Sequence, residues 1–594
     1  MQIDYKKLGY RWRGPYSENI EYEDKDVVYK DGEAFAYERD TQSFKIFARG
    51  QVEAISKGEI IVGGDNTVVS GFPGEFLYVR NGEVNFEHPY DRNGTKVKAL
   101  SSLPKTSDYG FMGNCGNTWL NWHYPSFLMW DGSVRAFGWN NSYGITGQGT
   151  KNNDYPTGDI TTPTRVNFPR GTPPIVKTYT SHLAIHCIDR DGTLWAAGHK
   201  YHTGAATANT DQGHQWKMMN MNERTPIGDE KVKELFHFAE IGKWGYDTWF
   251  ALCESGKVFS WGQDNPHGIQ GRGGGTRYQA ALIPFTADHP IKKISSDGYY
   301  VTGMIDEDDN LWTVGHAQAN FLGYTTHEFK PVLFLPDKVH EFSAVGCARH
   351  SSNHNYYAMV GILFKNGDFY QRSDSHDGES WGSPGAGWSY SFLNSTHKTG
   401  QNISNIWFGN GAWPIGIART KDGRWLYRGP NRYNQAPWPG NNCQPTGPVD
   451  WDTNPIYQLD NTYWNDNIKE FTWYKSNIQS MGYALTKDGR VWTTGANHEG
   501  WRGLGHTSSP RVGEAPDDNW IGYDNAYYPL ANDKAISATH TGYIYHNYGG
   551  TTQPYFSFHV LTDKGDVYAS GAGYAGVNGQ MHDIDIHVPN KIIF

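Results

Sequence analysis

The sequence predicts an all-β protein in which a ring of repeated four-stranded units, a β-propeller, follows a small N-terminal β-rich module. Three observations predict it. One hairpin signature recurs eight times, a strand-like piece precedes most copies, and no stretch reads as a convincing helix.

The clearest copy is Tyr483-Ala484-Leu485-Thr486-Lys487-Asp488-Gly489-Arg490-Val491-Trp492-Thr493-Thr494-Gly495. Asp-Gly between alternating apolar residues signals a hairpin, because the turn that matches strand twist needs positive φ at its centre. With the second turn residue as marker, the copies fall at Gly132, Gly192, Gly256, Asp309, Gly367, Gly423, Gly489 and Gly565. Two positions on, the residue is always apolar: Val134, Leu194, Val258, Leu311, Phe369, Trp425, Val491, Val567. The next position is aromatic in six of eight copies, and glycine stands six after the marker in seven of eight, with Ser373 the exception. Upstream pieces such as Ile175-Val176-Lys177, Val232–Leu235, Ile291–Ile294 and Ile468–Phe471 supply a further strand. Downstream lie glycine clusters, as in Gly144…Gly147-Gln148-Gly149 and Gly500…Gly503-Leu504-Gly505. About four short strands per unit describe a propeller blade, and blades must stack to bury both faces.

The phrases Leu485–Asn497…Gly503-Leu504-Gly505 and Ala251–Gln263 resemble the repeat of the RCC1-like propellers. The resemblance covers residues 95–594 and implies an RCC1-like β-propeller of seven or eight blades. That family usually has seven, and eight hairpins are counted here. The fold serves exchange factors, inhibitors and structural proteins alike, so the resemblance speaks to fold and not to function. The C-terminal Val588–Phe594 is expected to close the ring, with Val97–Leu100 of the first blade as its pairing partner.

Residues 1–94 do not follow the repeat. Tyr10–Tyr16, Tyr22 and Asp26–Tyr37 read as short strands around an Asp-Gly hairpin, and Phe76–Val84 reads as a second hairpin. This piece is similar to the small aromatic modules, related to type 5/12 carbohydrate-binding modules, that recur in tailed-bacteriophage virion proteins. The later exposed tryptophan of those modules is missing. Trp12, Tyr16 and Tyr22 are therefore either the core of a module that docks the chain onto a particle or a glycan contact.

The bulk properties narrow the class. The chain of 594 residues carries 52 Lys+Arg against 62 Asp+Glu and has no basic run, which disfavours nucleic-acid binding. Its 70 glycines and 15% aromatic content suit short strands and many turns. Cys115, Cys187, Cys253, Cys347 and Cys443 show neither a disulfide framework nor metal-ligand spacing. Cys187 and Cys253 fall in apolar strands and read as buried thiols. No transmembrane run occurs, so no membrane insertion is expected. The N-terminus lacks an apolar h-region, so the expectation is synthesis in a host cytoplasm and residence in a virion.

Several connections exceed what a blade needs: 200–226, 373–402, 430–465, 506–530 and 538–555. Long loops on a rigid scaffold carry binding. They hold Trp381, Trp388, Trp438, Trp451 and Trp464, with Tyr390, Tyr457, Tyr463, Tyr527, Tyr528, Tyr543 and Tyr545. These aromatics suit partner contact, sugar stacking or packing of the loops on one another.

Reactive motifs do not emerge. Gly268–Gly273 sits where other units carry the same glycine cluster, and no Walker ending follows it. Asp306–Asn310 lacks the glycine and distal glutamate of a calcium loop and is the turn of the fourth hairpin. His350 and His354 have no third ligand at standard spacing. No catalytic, cofactor-binding or metal residue is assigned, and no enzyme activity is expected. The functional expectation is a structural protein of a bacteriophage virion in tail, fibre or capsid decoration, present in multiple copies. It would bind other virion proteins and a host surface glycan or receptor. The alternatives are a cellular RCC1-like regulatory propeller and a glycan-binding or glycan-degrading protein.

Overall fold

In the computed structural model, described residues are 11–15, 26–30, 33–38, 43–49, 59–61, 68–70, 76–80, 83–87, 96–100, 125–138, 144–149, 160–181, 183–205, 215–239, 247–263, 267–275, 277–296, 298, 300–316, 322, 324–333, 335–348, 356–373, 389–393, 403–409, 415–423, 425–428, 457–458, 468–475, 480–495, 497, 500–505, 526–530, 532–546, 552–573, 579 and 585–594. Two compact units divide the chain. One is Met1–Lys98 with Met129–Ser133, and the other is Ala99–Leu128 with Val134–Phe594.

The N-terminal unit holds β1 (Arg11–Pro15), β2 (Asp26–Lys30), β3 (Glu33–Glu38) and β4 (Ser43–Arg49) in one sheet. β2 and β3 form the expected Asp-Gly hairpin, but β1 runs parallel to β2. Two separate hairpins follow, β5 (Glu59–Ile61) with β6 (Val68–Ser70) and β7 (Phe76–Arg80) with β8 (Glu83–Glu87).

Eight four-stranded antiparallel sheets follow in chain order. Blade one has β9 (Val97–Leu100), β10 (Ser126–Met129), β11 (Val134–Gly138) and β12 (Ile160–Arg165). Blade two has β13 (Ile175–Thr180), β14 (Ala184–Asp189), β15 (Leu194–Gly198) and β16 (Gln215–Asn220). Blade three has β17 (Val232–Ala239), β18 (Asp247–Cys253), β19 (Val258–Gln263) and β20 (Arg277–Leu282). Blade four has β21 (Ile291–Ser296), β22 (Val301–Asp306), β23 (Leu311–Gly315) and β24 (Thr326–Pro331). Blade five has β25 (Val339–Ala348), β26 (Tyr356–Phe364), β27 (Phe369–Ser373) and β28 (Ser389–Leu393). Blade six has β29 (Ile403–Gly409), β30 (Ile415–Thr420), β31 (Trp425–Arg428) and β32 (Tyr457–Gln458). Blade seven has β33 (Ile468–Lys475), β34 (Ser480–Thr486), β35 (Val491–Gly495) and β36 (Ala526–Tyr527). Blade eight has β37 (Ala535–His546), β38 (Thr552–Thr562), β39 (Val567–Gly571) and β40 (Ile586–Lys591). The blade number is therefore eight.

The upstream pieces read from sequence are first strands, and the first strands of blades two to eight each begin with a bulge, as between Ile175 and Lys177 or Ile468 and Glu470. The second strands β14 and β22 are buried along their whole length, whereas fourth strands such as β12 and β40 carry exposed residues. Successive first strands, β21 with β25, β25 with β29 and β29 with β33, lie against one another. First strands thus form the inner edge of the ring and fourth strands the outer edge.

All eight marker residues have positive φ, including Asp309 at 64°, which is the one non-glycine with positive φ among the described residues. The turn is then stapled to the next blade. The Gly192 carbonyl accepts from the Val232 N–H at 2.8 Å, Gly256 from Ile291 at 2.9 Å, Asp309 from Val339 at 3.0 Å and Gly489 from Ala535 at 2.8 Å. Each such bond contributes about 0.5–1.5 kcal/mol.

The second glycine column also has a physical cause. At Gly138, Gly198, Gly262, Gly315 and Gly571, φ is positive and the ladder to the fourth strand skips register, a β-bulge. A Cβ at Gly315 would run into the carbonyl oxygen of Tyr300. Ser373 occupies this column in blade five, and there the ladder from Phe369↔Leu393 to Ser373↔Ser389 runs without a bulge.

Apolar clusters fill the gaps between blades. Leu128, Val134 and Val166 pack with Ile185, Cys187 and Trp195, and Leu235, Trp249 and Trp261 pack with Leu194 and Met219. Phe238 and Phe250 join Ile294 and Met304, Val301 and Ile305 join Phe342 and Val360, and Tyr483 and Trp501 join Phe558 and Val560. Between blades five and six, the Ile406 N–H donates to Glu341 at 3.3 Å. Blade eight meets blade one through rings. Phe127 lies 5.7 Å from both His559 and Phe594, and Phe137 lies 5.9 Å from His559.

Ring closure differs from the sequence expectation. The C-terminal strand β40 pairs with β39, Tyr568 opposite Lys591, and not with Val97–Leu100. Blade eight already owns four consecutive strands, so closure uses side-chain packing, like the other blade junctions. The connection 538–555 also differs, because most of it lies within the paired strands β37 and β38. The connections 200–226, 373–402, 430–465 and 506–530 each contain the fourth strand of their blade. Two single-turn helices, α1 (Lys200–Thr203) and α2 (Met221–Arg224), and a 3-10 turn at Pro284–Ala287 are the described helical elements.

Gly315→Ala should lower stability by roughly 1–3 kcal/mol, the cost of a strained backbone residue. Ser373→Gly removes no such strain and should cost about 0.5–1 kcal/mol through chain entropy. Urea unfolding of both variants checks the contrast. Phe594→Ala should cost about 2 kcal/mol, half of a fully buried Phe truncation, because the ring is half-buried. Thermal unfolding monitored by near-UV dichroism reads this closure contact.

Candidate functional site

Strand direction alternates within a blade, so the ring has two ends of different construction. The turns between second and third strands lie at one end, the turn end. The connections from first to second strands lie at the other, the hairpin end.

The turn end is charged. In blades two to eight the four residues linking second and third strands (190–193, 254–257, 307–310, 365–368, 421–424, 487–490, 563–566) include 18 ionisable Asp, Glu, Lys or Arg out of 28. Several of them, and carboxylates just outside the turns, are engaged in local structure. Asp189 accepts from the N–H groups of Asp191 and Thr193 and from Trp195 Nε1 at 2.8 Å, and Asp306 does the same with Asn310 and Trp312. Asp309 holds Lys292 at 2.5 Å and also Lys365 of the next blade. Burial raises the Asp309 carboxyl, but hydrogen bonds from Lys292 and Lys365 outweigh it and leave its pKa below the ordinary value. Asp306–Asn310 is thus the tight turn expected, locked by lysines. Glu230 is lowered by bonds from Lys257 and Ser255, and Asp533 by bonds from Lys564 and Tyr568.

Side chains near the first-strand bulges clasp neighbouring blades. Lys177 Nζ donates to the Lys233 carbonyl at 2.8 Å and to Glu234 at 2.7 Å, and Tyr179 OH donates to Glu234 at 2.8 Å. Burial and the Glu234 charge hold the Tyr179 hydroxyl well above its usual range. Lys293 reaches the His340 carbonyl at 3.2 Å and Lys469 the Ile536 carbonyl at 2.7 Å. The glycine clusters form an outer set of straps. Gln148 bridges to Lys217, Ala205 to Gln279 and Arg272 to Glu328, each reaching the fourth strand of the following blade. Gly268–Gly273 is therefore part of a strap.

Buried reactive groups belong to the walls. Cys187 and Cys253 are buried thiols pushed up to about 12 by desolvation. Trp249 lies between His186 at 4.2 Å and His237 at 4.4 Å inside the junction of blades two and three. Among the described residues no group of three or more His, Cys, Asp or Glu gathers as a metal site.

The hairpin end is uncharged by comparison. In the same seven blades the connections 181–183, 240–246, 297–300, 349–355, 410–414, 476–479 and 547–551 include four ionisable residues out of 35. Its longest feature is the ribbon of β37 and β38, strands of 12 and 11 residues. β39 covers β38 only over Ser557–Leu561, so Thr552–Phe556 continue as a two-stranded ribbon with β37. Pro554 stands there opposite Ile544. A proline is tolerated where no further strand needs its missing N–H.

Of the sequence-derived contact residues, Trp12 lies in β1 with its backbone paired to Val27. Tyr16, Tyr22, Trp381, Trp388, Trp438, Trp451 and Trp464 lie outside the described residues. Trp381 and Trp388 fall between third and fourth strands, as do Trp438 and Trp451, whereas Trp464 falls between blades six and seven. Tyr528 packs inward, its hydroxyl 2.8 Å from Ser570. Tyr543 and Tyr545 belong to the ribbon, where Tyr543 faces Tyr555. Sequence reasoning missed Tyr555 and Phe556. The absence of Asp, Glu, Lys and Arg from 535–562 was the available signal.

No family model matches the chain and no curated protein matches it. Solved structures do resemble it. Prp20p from Saccharomyces cerevisiae, in a study of its binding properties to Gsp1p and histones, is 14% identical over 65% of this chain and 82% of its own, with a TM-score of 0.40. Yeast RCC1 (Prp20) in the structure with Kap60 bound is 14% identical over 85% and 90%, with a TM-score of 0.43. Human WBSCR16 is 13% identical over 78% and 94%, with a TM-score of 0.40. These are RCC1-like propellers, and the likeness concerns fold alone. The eight-bladed architecture rests on the sheets and junctions of this chain.

Asp309→Gly retains the positive-φ turn and removes the carboxylate. The Asp309 pKa is lower folded than unfolded, so its contribution is full above the unfolded value near 3.9 and is lost as pH falls through the folded value. The variant should be less stable than the parent at pH 7, and the difference should shrink below about pH 4. Urea midpoints measured from pH 7 down to about pH 2.5 test this; a constant difference would refute the linkage.

Proposed function

We propose that the chain is a non-enzymatic binding propeller that engages its partner through the hairpin end. One observation carries the reading: ionisable residues are concentrated in the turns at one end and nearly withdrawn from the connections at the other. A charged turn end is occupied with blade-to-blade bonds, whereas the hairpin end holds the projecting ribbon. Loops and ribbons on a rigid closed scaffold are placed for recognition.

The finer reading is a bacteriophage virion protein, with residues 1–94 attaching it to other virion proteins and the ring meeting a host surface. Its support is the likeness of the N-terminal sequence to the small aromatic modules of such particles. A regulatory propeller of RCC1-like kind is the second reading. The dense mixed charge of the turn end favours it, since such patches steer protein partners. A nucleotide-release assay with small GTPases distinguishes the two, because only the regulator accelerates release.

Replacing residues 542–556 by Asn-Gly should shorten the ribbon and leave the ring intact, because the two-residue turn then joins the paired Thr541 and Ser557. Melting temperature should stay within a few degrees, since the excised pairs lie beyond β39. Binding to host cells or to isolated partners, read by surface plasmon resonance, should drop at least about tenfold, equivalent to about 1.4 kcal/mol. Full binding by the shortened protein would refute the placement.

A further inference from the structure

We propose that the inner rim of the turn end is a docking surface for a slender acidic peptide segment, a second surface apart from the hairpin end. The first strands of blades two to eight each begin with one bulged residue that the ladder leaves unpaired. In blades three, four, five and seven that residue is Lys233, Lys292, His340 and Lys469, and in blades two and eight it is Val176 and Ile536. The flanking pairs, such as Ile175 with Asp189 and Ala535 with Thr562, put each bulge beside the end of its second strand, at the turn end. First strands are the inner edge of the ring, so the bulged residues border its mouth. None of these six is buried. Lys233, Lys469, Val176 and Ile536 are exposed, and Lys292 and His340 are half-buried.

Hydrogen bonds fix the rim lysines. Lys177 reaches across to the Lys233 carbonyl but is matched by Glu234, and Lys292 is matched by Asp309. Lys293 and Lys469 anchor on the carbonyls of His340 and Ile536 in the following blades, at 3.2 and 2.7 Å. A carbonyl holds an ammonium in place without cancelling its charge. Among the described side chains of these strand starts the carboxylates are engaged. Glu234 accepts from Lys177 and Tyr179, and Glu341 is buried and accepts from the Ile406 N–H. Lys233 and Lys293, on neighbouring blades, therefore give the rim an excess of positive charge.

Charge complementarity selects a partner rich in carboxylates. Its shape is limited by what surrounds the rim. Glu254, Glu307 and Asp308 are exposed in the turns between second and third strands, farther from the inner edge. A broad acidic face would meet these carboxylates, whereas a single peptide segment can keep to the rim. Val176 and Ile536, 44% and 37% exposed, add apolar contact on blades two and eight, which suits a peptide that carries Leu or Phe among its acids. A nucleic acid calls for a dense basic surface, and the strand starts 175–177, 232–234, 291–293, 339–341, 403–405, 468–470 and 535–537 hold no arginine.

The test is fluorescence anisotropy of the full chain with a labelled peptide of mixed acidic and apolar residues (LEDFEDLE) and with its amide counterpart (LQNFQNLQ). The acidic peptide should bind at least about tenfold more tightly than the amide one, and its affinity should fall by about tenfold between roughly 0.05 and 0.5 M NaCl as screening grows. Lys233→Gln and Lys293→Gln should each weaken binding roughly threefold and together about tenfold, the scale of exposed charge pairs. If Lys293→Gln melts earlier than the parent, Lys233→Gln at its exposed site reads the same contact. Lys487→Gln, an exposed lysine in a turn of blade seven, should leave binding unchanged. No binding of the acidic peptide, equal binding of the amide peptide, indifference to Lys233→Gln, an equal loss in Lys487→Gln, or binding of a DNA duplex in place of the peptide overturns the proposal. The ribbon-shortened protein should bind the acidic peptide as the parent does, so the two surfaces stand or fall separately.

Discussion

A four-stranded sheet that is apolar on both faces has to be covered on both, and a linear stack always leaves two faces bare. Closure removes them. In this chain the last junction is made by Phe127 and Phe137 of blade one against His559 and Phe594. No strand is shared between the two ends of the repeat, so closure has the same character as the other seven junctions. The blades carry equivalent work because no junction is covalently or topologically special.

Given closure, the positions that cannot vary are those where backbone meets backbone. The marker turn needs positive φ, and its carbonyl then faces the first strand of the next blade. Asp309 shows that the conformation is the requirement and glycine only its usual means. Asp tolerates the left-handed region better than most residues, and here its carboxylate is also held by Lys292 and Lys365. The bulge column follows the same logic. Glycine is present where the third strand skips register, and the blade with Ser373 keeps regular pairing.

These backbone requirements explain what was legible in the sequence. Turns, bulges and first strands leave fixed columns, so the eight units and the β-propeller could be read from spacing. Pairing partners left none. Val588–Phe594 resembles the strand ending earlier units because it is one, but apolar alternation does not say which neighbour it joins. The connection 538–555 read as a loop because Gly542 and Pro554 are loop punctuation. Beyond the edge of β39 the usual objection to proline disappears, so the same residues are compatible with strand. The contact residues were the least legible. Aromatics mark cores and surfaces alike, and Tyr528, grouped with loop aromatics by sequence, is buried against Ser570.

The segregation of charge follows from the same geometry. At the turn end each tight turn leaves polar backbone groups and places neighbouring blades close enough for ion pairs, so Asp, Lys, Glu and Arg are useful there. At the other end the β37–β38 ladder pairs backbone as far as His546 opposite Thr552, and pairing of this kind needs no charge. A soluble ring would nonetheless gain from charge at that surface, since charged side chains discourage edge pairing of exposed strands. The chain leaves the connections at that end of blades six to eight, 410–414, 476–479 and 547–551, without Asp, Glu, Lys or Arg.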